Sequence, residues 1–151
     1  MKLKNIILIL FFTLTLGCGY QPLYSNKATN FYIYKINSSG DKKTNRALIN
    51  NLELYKDNNS KNRIELEINS TIKKTITSKD TKGNPKTFRI EIVSQVKVIK
   101  EENTNLDKVF SKSSNYNNSS KKFELKQYEE NLKINLIDKI SEDIVGYLQT
   151  L

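Results

Sequence analysis

The chain has 151 residues with no histidine and one cysteine, and its 25 basic and 16 acidic residues give a net charge of +9. Without histidine, neither the usual zinc site nor a Ser–His or Cys–His nucleophile pair can be built. The composition therefore excludes these kinds of metal site and nucleophile, and we expect no metal and no cofactor. The length suits one domain with one hydrophobic core.

The first 17 residues are typical of an export signal. Lys2 and Lys4 form a positive start, residues 6–16 form an apolar stretch, and Gly17 offers the small residue that a signal peptidase requires. A stretch of eleven apolar residues is too short to span a bilayer as a helix, which takes about 20. We therefore expect residues 1–17 to be a cleaved signal peptide.

Cys18 follows the small residue directly, as in bacterial lipoprotein signals, where the cysteine thiol receives a lipid and cleavage occurs before it. This position predicts cleavage between Gly17 and Cys18, a covalent lipid on Cys18, a lipidated tether over residues 18–29 and a folded domain over 30–151. An exported protein with a single unpaired thiol is otherwise unusual. Thr15 replaces the leucine that such signals usually carry three residues before the cysteine, so an ordinary secretory signal is the alternative.

The mature chain would keep a charge of +7, because only Lys2 and Lys4 leave with the signal. A positive chain is attracted to polyanions. For an exported lipoprotein these are phosphorylated glycolipid, anionic headgroups and acidic proteins, and we expect no nucleic acid partner. The alternative is that an A/T-rich genome enriches lysine, asparagine and isoleucine without any selection for charge.

The first half of the domain predicts a strand and then a helix. Residues 31–36 are β-branched and aromatic and predict a strand, which the turn-rich residues 37–41 should end. Apolar residues at helical spacing then predict about three helical turns, with Asp41 or Thr44 as the N-cap. The apolar positions are Leu48, Leu52 and Tyr55.

The clearest structural signal is a period-2 alternation over residues 63–100. It predicts two long strands, each with one buried and one solvated face, joined into a hairpin by a turn-rich tip at 79–86. A weaker strand is expected over 107–116. The apolar positions of the hairpin are Ile64, Leu66, Ile68, Ile72, Ile76, Phe88, Ile90, Ile92, Val96 and Val98.

The apolar pattern of the last 25 or so residues predicts an amphipathic helix. Its stripe is wider than a coiled-coil seam, which favours a cover for the core over a partner-binding seam. The element order β-α-β-β-β-α predicts an α+β fold, a two-layer sandwich in which two helices cover a four-stranded, mainly antiparallel sheet. The stripe comprises Leu125, Tyr128, Leu132, Leu136, Ile140, Ile144 and Leu148.

Two segments carry a resemblance to a known family. Residues 18–24, Cys-Gly-Tyr-Gln-Pro-Leu-Tyr, resemble the mature start of the LPS-assembly lipoproteins of the LptE family, in its alphaproteobacterial form. Residues 114–117, Ser-Asn-Tyr-Asn, resemble the element that precedes the long closing helix of that family. The layout of the whole mature chain is similar, but only these two segments are specific at residue level.

The resemblance implies a non-enzymatic protein that assembles with and plugs the LptD β-barrel and supports delivery of lipopolysaccharide to the outer leaflet of the outer membrane. Gly19, where an aspartate would retain the protein at the inner membrane of enteric-type bacteria, favours an outer-membrane anchor with the domain facing the periplasm. The alternative is a generic lipoprotein that binds peptidoglycan or another periplasmic partner.

With such a role, basic residues around the hairpin tip are candidates for binding lipopolysaccharide phosphates and acidic sugars. They are Lys79, Lys82 and Lys86 in the tip and Lys73, Lys74 and Arg89 on the adjoining strands. Lys73 and Arg89 fall on the polar face, and Lys74 interrupts the apolar one. The alternative is a solvated loop that only resists edge-to-edge aggregation.

A hydrolase built on paired carboxylates is the rival from another functional class. The adjacent glutamates Glu101–Glu102 and Glu129–Glu130 are the candidates. Neighbouring side chains point to different faces in a helix or a strand, so neither pair has to share a proton. The sequence therefore predicts no catalytic residue.

Overall fold

A computed structural model of the chain describes residues 29–56, 62–100 and 105–151. Its strands are β1 (Phe31–Gly40), β2 (Asn62–Lys79), β3 (Pro85–Lys100) and β4 (Asn105–Asn117). Its helices are α1 (Lys42–Leu52), which a short 3₁₀ turn (Glu53–Tyr55) follows, and α2 (Lys122–Leu148). The element order β-α-β-β-β-α and the α+β sandwich are as expected from the sequence.

The four strands lie in the order β1-β2-β3-β4. β1 is parallel to β2, and the other two pairs are antiparallel. β1 is shorter than β2 and its pairing stops at Gly40 and Ser70. The sheet therefore has four strands at the end where β2 begins, the base end, and three at the end where the β2–β3 hairpin turns, the tip end.

The first strand is longer than predicted. Residues 37–40, expected to form a turn, continue β1 and pair with residues 67–70 of β2. Hydrogen bonds to a neighbouring strand satisfy the backbone groups of this polar segment, which outweighs its local preference for a turn. The break comes at Gly40, whose φ of 88° lies in the left-handed region that glycine adopts readily.

Helix α1 begins directly after this break. The side chain of Asp41 accepts a hydrogen bond of 2.8 Å from the backbone N–H of Thr44, so Asp41 is the N-cap, one of the two predicted. The helix runs back toward the base end, where the ring of Tyr55 stacks 6.0 Å from that of Phe31. Leu48 and Leu52 are fully buried on the sheet.

The even-numbered face of the hairpin forms the core together with the closing helix. Apart from Ile72, Ile76 and Phe88, its apolar side chains are almost completely excluded from solvent, as the alternation predicts. The buried members are Ile64, Leu66, Ile68, Ile90, Ile92, Val96 and Val98 from the sheet and Leu136, Ile137, Ile140, Ile144 and Leu148 from α2. The stripe of α2 is thus a core cover.

Two serines interrupt this apolar face. Ser70 and Ser94 are fully buried and lie directly opposite each other. Their hydroxyl groups form a hydrogen bond with an oxygen–oxygen distance of 2.9 Å. Each therefore satisfies the other, which avoids the cost of a buried, unpaired hydroxyl. Neither of the two helices described is long and apolar enough to cross a membrane.

Candidate binding surface at the tip end of the sheet

The hairpin turn is organised by one carboxylate. Oδ1 of Asp80 accepts the backbone N–H groups of Lys82 at 2.9 Å and Asn84 at 2.8 Å, and Gly83 takes a φ of 84°. The hydrogen bonds from Asn84, first its backbone and then its side chain, lower the pKa of Asp80. This Asp–Gly–Asn turn chemistry holds the backbone of the loop in one conformation.

Three candidate lysines surround this turn. Lys79, Lys82 and Lys86 are all exposed, and in the described part of the chain no carboxylate pairs with any of them. The fixed turn therefore presents three ammonium groups to solvent, with Asp80 as the only acidic residue between them in residues 79–86. Such a group of point charges can attract phosphates or acidic sugars.

The structure places Lys73 and Arg89 on the outer, solvated face of the sheet. Both are exposed, Lys73 lies opposite Glu91, and Arg89 donates from Nε to Oδ1 of Asn115 at 2.9 Å. They extend the basic surface from the tip along that face.

Lys74 lies on the other face and is engaged within the protein. Its ammonium pairs with Glu129 of α2 at 2.5 Å and lies 4.3 Å from the centroid of the Phe88 ring. Tyr116 stacks on Phe88 and donates its hydroxyl to the same Glu129 oxygen at 2.7 Å. The structure thus separates Lys74 from the other five candidates, because its charge is already matched.

The electrostatics of this inner cluster, Lys74, Phe88, Tyr116 and Glu129, follow from its hydrogen bonds. Desolvation acts to raise the pKa of Glu129, but the hydrogen bonds from Lys74 and Tyr116 outweigh it and hold that pKa below its ordinary value. Desolvation likewise acts to lower the pKa of Lys74, and the bonds to Glu129 and Tyr116 raise it instead. Both groups stay charged at neutral pH and tie α2 to the sheet.

Residues 114–117, which resemble a family element, contribute to this inner cluster. They are the last residues of β4, where Tyr116 is buried against Phe88 and α2, and Asn115 accepts a hydrogen bond from Arg89 on the outer face. Glu129 carries no local sequence signal for this role, because its partners lie 55 and 13 residues away. The Asp80 turn could have been recognised from its Asp, Gly and Asn residues.

The remaining sequence predictions concern parts of the chain that the structure does not describe. Gly17 and Cys18 lie outside the described residues, as do Glu101 and Glu102. Across residues 29–56, 62–100 and 105–151, no group of three or more His, Cys, Asp or Glu side chains could hold a metal ion.

The fold is shared with several solved bacterial lipoproteins. Rare lipoprotein B from Shewanella oneidensis is 13% identical with a TM-score of 0.55, over 75% of this chain and 95% of that one. A minor lipoprotein from Acinetobacter baumannii is 10% identical with a TM-score of 0.60, over 78% and 90%. Lipoprotein B from Nitrosomonas europaea is 11% identical with a TM-score of 0.56, over 80% and 85%.

This chain has the fold of these lipoproteins. At such low identity, the likeness concerns the path of the backbone and does not extend to individual side chains. No family model matches the chain, and no curated protein sequence matches it.

Proposed function

We propose that the chain is a lipid-anchored lipoprotein of the outer membrane, facing the periplasm, that assembles with an LptD-type β-barrel as its plug and supports lipopolysaccharide delivery. The observation that carries the proposal is the shared fold, which spans 85 to 95% of the three lipoproteins. Rare lipoprotein B belongs to the LptE family. The Cys18-led heptapeptide of this chain resembles the mature start of that family.

The layout of the domain supports a role at the end of an anchor. The tether leads into residue 29 at the base end, whereas the hairpin tip lies at the opposite end of β2, an 18-residue strand. At about 3.3 Å per residue, β2 carries the tip roughly 55 Å from the base. The anchored end and the basic end are therefore far apart, and the tip can reach into a barrel while the lipid stays in the membrane.

The tip is the part of the surface that we propose for lipopolysaccharide. Lys79, Lys82 and Lys86 project from an ordered turn without internal ion partners in the described chain, and Lys73 and Arg89 continue the basic surface. Lys74 does not belong to this binding set in the folded protein, since Glu129 matches its charge.

Affinity purification from detergent-solubilised outer membranes tests the assembly. We expect the tagged lipoprotein to recover one large heat-modifiable β-barrel in a 1:1 ratio. Recovery of only peptidoglycan fragments or soluble periplasmic proteins would contradict the proposal and favour a generic lipoprotein.

The anchor has its own test. Replacing Cys18 with serine should abolish labelling by radioactive palmitate and leave an uncleaved or soluble product. A Cys18→Ser chain that still incorporates palmitate would refute the assignment of the lipid to this residue. Loss of the lipid with an intact barrel complex would separate anchoring from assembly.

A further inference from the structure

The tip half of β2 has a free strand edge. β1 pairs with β2 only as far as Ser70, and the chain then leaves the sheet as α1, which runs back to the base end. β2 continues to Lys79, so residues 71–79 have β3 on one side and no paired strand on the other among the described residues. The three segments that the structure does not describe all join the sheet at its base end.

The backbone direction of this edge can be worked out from one hydrogen bond. The carbonyl of Ser70 accepts the backbone N–H of Asp41 at 2.8 Å, so it points to the β1 side of β2. In an antiparallel pair the N–H and C=O of a residue point to the same neighbour, and the direction alternates along the strand. The register with β3 is regular from Ile64 to Ile76. The backbone groups of Ile72, Lys74 and Ile76 therefore point to the free edge.

The side chains beside this edge indicate the chemistry of what it accepts. On the outer face, residues 71–79 place the exposed Lys73, and Lys79 ends the segment. On the inner face they place the half-buried Ile72 and Ile76, the latter 48% exposed. The segment contains no acidic residue, and neither does α1, which begins beside it with two lysines.

We propose that residues 71–79 of β2 form a docking edge for an extended segment of a partner protein, which adds as a further strand. The main-chain groups of Ile72, Lys74 and Ile76 would supply the pairing. Lys73 on the outer face, with the added positive charge of Lys79 at the end of the segment, selects acidic side chains on one face of the incoming strand, while Ile72 and Ile76 select apolar side chains on the other. The preferred segment alternates acidic and apolar residues over about nine positions.

A defined peptide tests this edge with the mature lipoprotein in detergent. The probe is a fluorescein-labelled nine-residue peptide of alternating glutamate and valine, with binding followed by fluorescence anisotropy at low and high salt. We expect binding that weakens as salt rises, because it depends on exposed lysines. A peptide with lysine in place of every glutamate should not bind.

N-methylation of the probe distinguishes strand pairing from attraction by charge alone. Two further peptides are compared, one N-methylated at every valine and one at every glutamate. Because successive N–H groups of a strand point to opposite sides, one peptide loses the donors that face β2 and the other loses the donors that face solvent. We therefore expect one methylated peptide to lose binding and the other to keep it. Equal binding by both would overturn the proposal, because it would show that no backbone pairing occurs.

Variants of the chain locate the edge. Ile76→Pro removes one donor that points to the free edge and leaves the β3 ladder intact, so it should weaken peptide binding about tenfold or more. Ile76→Val keeps both the N–H and an apolar side chain, so it should change binding by less than about threefold. Ser113→Pro is the matched control, because the same alternation directs its N–H to the outer edge of β4. Thermal unfolding of the three variants verifies that each is folded.

Several results would contradict the proposal. Binding that is lost in Ser113→Pro but kept in Ile76→Pro would show that the peptide pairs with the outer edge of β4 and not with β2. Concentration-dependent dimers that disappear in Ile76→Pro would make a second copy the occupant. If a folded chain does not bind the probe, the proposal is wrong, and the lysines serve only to resist edge-to-edge aggregation. These outcomes need no barrel, so they are independent of the barrel purification that tests the proposed function.

Discussion

The base and tip halves of the sheet continue the same pattern of alternating residues but have different surroundings. At the base, four strands are covered by both helices, and Ile64, Leu66 and Val98 are almost fully buried. At the tip, the sheet has three strands, and large apolar groups stay exposed, Ile76 at 48% and Phe123 at 80%. The base thus buries most of its apolar side chains, while the tip leaves some of its large apolar groups in contact with solvent.

The sharpest test of this difference compares isoleucines on the same face of one strand. Ile68→Ala at the base should cost about 2–5 kcal/mol, because it leaves a cavity in a well-packed core, and so should Ile92→Ala and Leu136→Ala. Ile76→Ala at the tip should cost about 1 kcal/mol or less, since half of that side chain is already in water. Urea unfolding monitored by circular dichroism measures both.

Lys97→Ala is the control for the outer face, and we expect its effect on the free energy of unfolding to lie within about 0.5 kcal/mol. Lys97 faces Glu67 at 3.7 Å on the solvated side of the sheet. Equal losses for Ile68→Ala and Ile76→Ala would show that the tip half contributes to the core as much as the base half does.

Two glycines with similar backbone angles make the second comparison. A Cβ at Gly40 would lie 2.2 Å from the carbonyl oxygen of Ser70, in addition to the strain of a φ of 88°. A Cβ at Gly83 would meet no atom within 4 Å, so only the strain of its φ of 84° applies.

We therefore expect Gly40→Ala to cost about 2–5 kcal/mol, and Gly83→Ala about 1–2 kcal/mol. Gly40→Ala should also loosen the end of β1, which hydrogen exchange at residues 37–40 would detect. Equal costs for the two variants would mean that the chain at Gly40 shifts freely and that the end of β1 is not fixed by Ser70.

The third comparison concerns two adjacent glutamates on α2. Glu129→Gln should cost about 1–2 kcal/mol, because it replaces a charged acceptor shared by Lys74 and Tyr116, although the partial exposure of Lys74 screens the pair. Glu130→Gln breaks only an exposed pair with Lys133, one turn along the helix, and should cost less than about 0.5 kcal/mol.

The pH dependence of this pair has a definite sign. The pKa of Glu129 is lower in the folded chain than its ordinary value, so the charged form stabilises the folded chain above the ordinary pKa of a glutamate. The stability difference between the native chain and Glu129→Gln should therefore be constant near neutrality and shrink as the pH falls below about 4.3, the ordinary pKa of a glutamate. A difference that grows on acidification would contradict the assigned charge states.

The sequence predicted the features that depend on local periodicity. The alternation from Ile64 to Val98 sufficed for the hairpin and its buried face, and Asp41 was recognisable as a cap. The sequence could not predict where along β2 the apolar face stops being buried, because the exposure of Ile76 depends on how far α1 and β1 extend beside β2. The strand at residues 37–40 and the ion pair between Lys74 and Glu129 were also missed, since both depend on neighbours distant in sequence.

The smallest expected effect on stability is at the hairpin tip, and there the functional effect should be largest. Lys79, Lys82 and Lys86 are exposed and pair with no carboxylate in the described chain, so replacing all three with glutamine should leave the melting temperature nearly unchanged. If they bind lipopolysaccharide phosphates, the triple variant should bind purified lipopolysaccharide more weakly than the native chain does. Binding by the native chain should also weaken as the salt concentration rises. Lys43→Gln, Lys108→Gln and Lys139→Gln, at three exposed lysines away from residues 79–86, together remove the same number of charges outside the tip. Unchanged lipopolysaccharide binding in low-salt buffer would exclude the tip, and an equal loss in the control would show that net charge, not the ordered turn, governs the attraction.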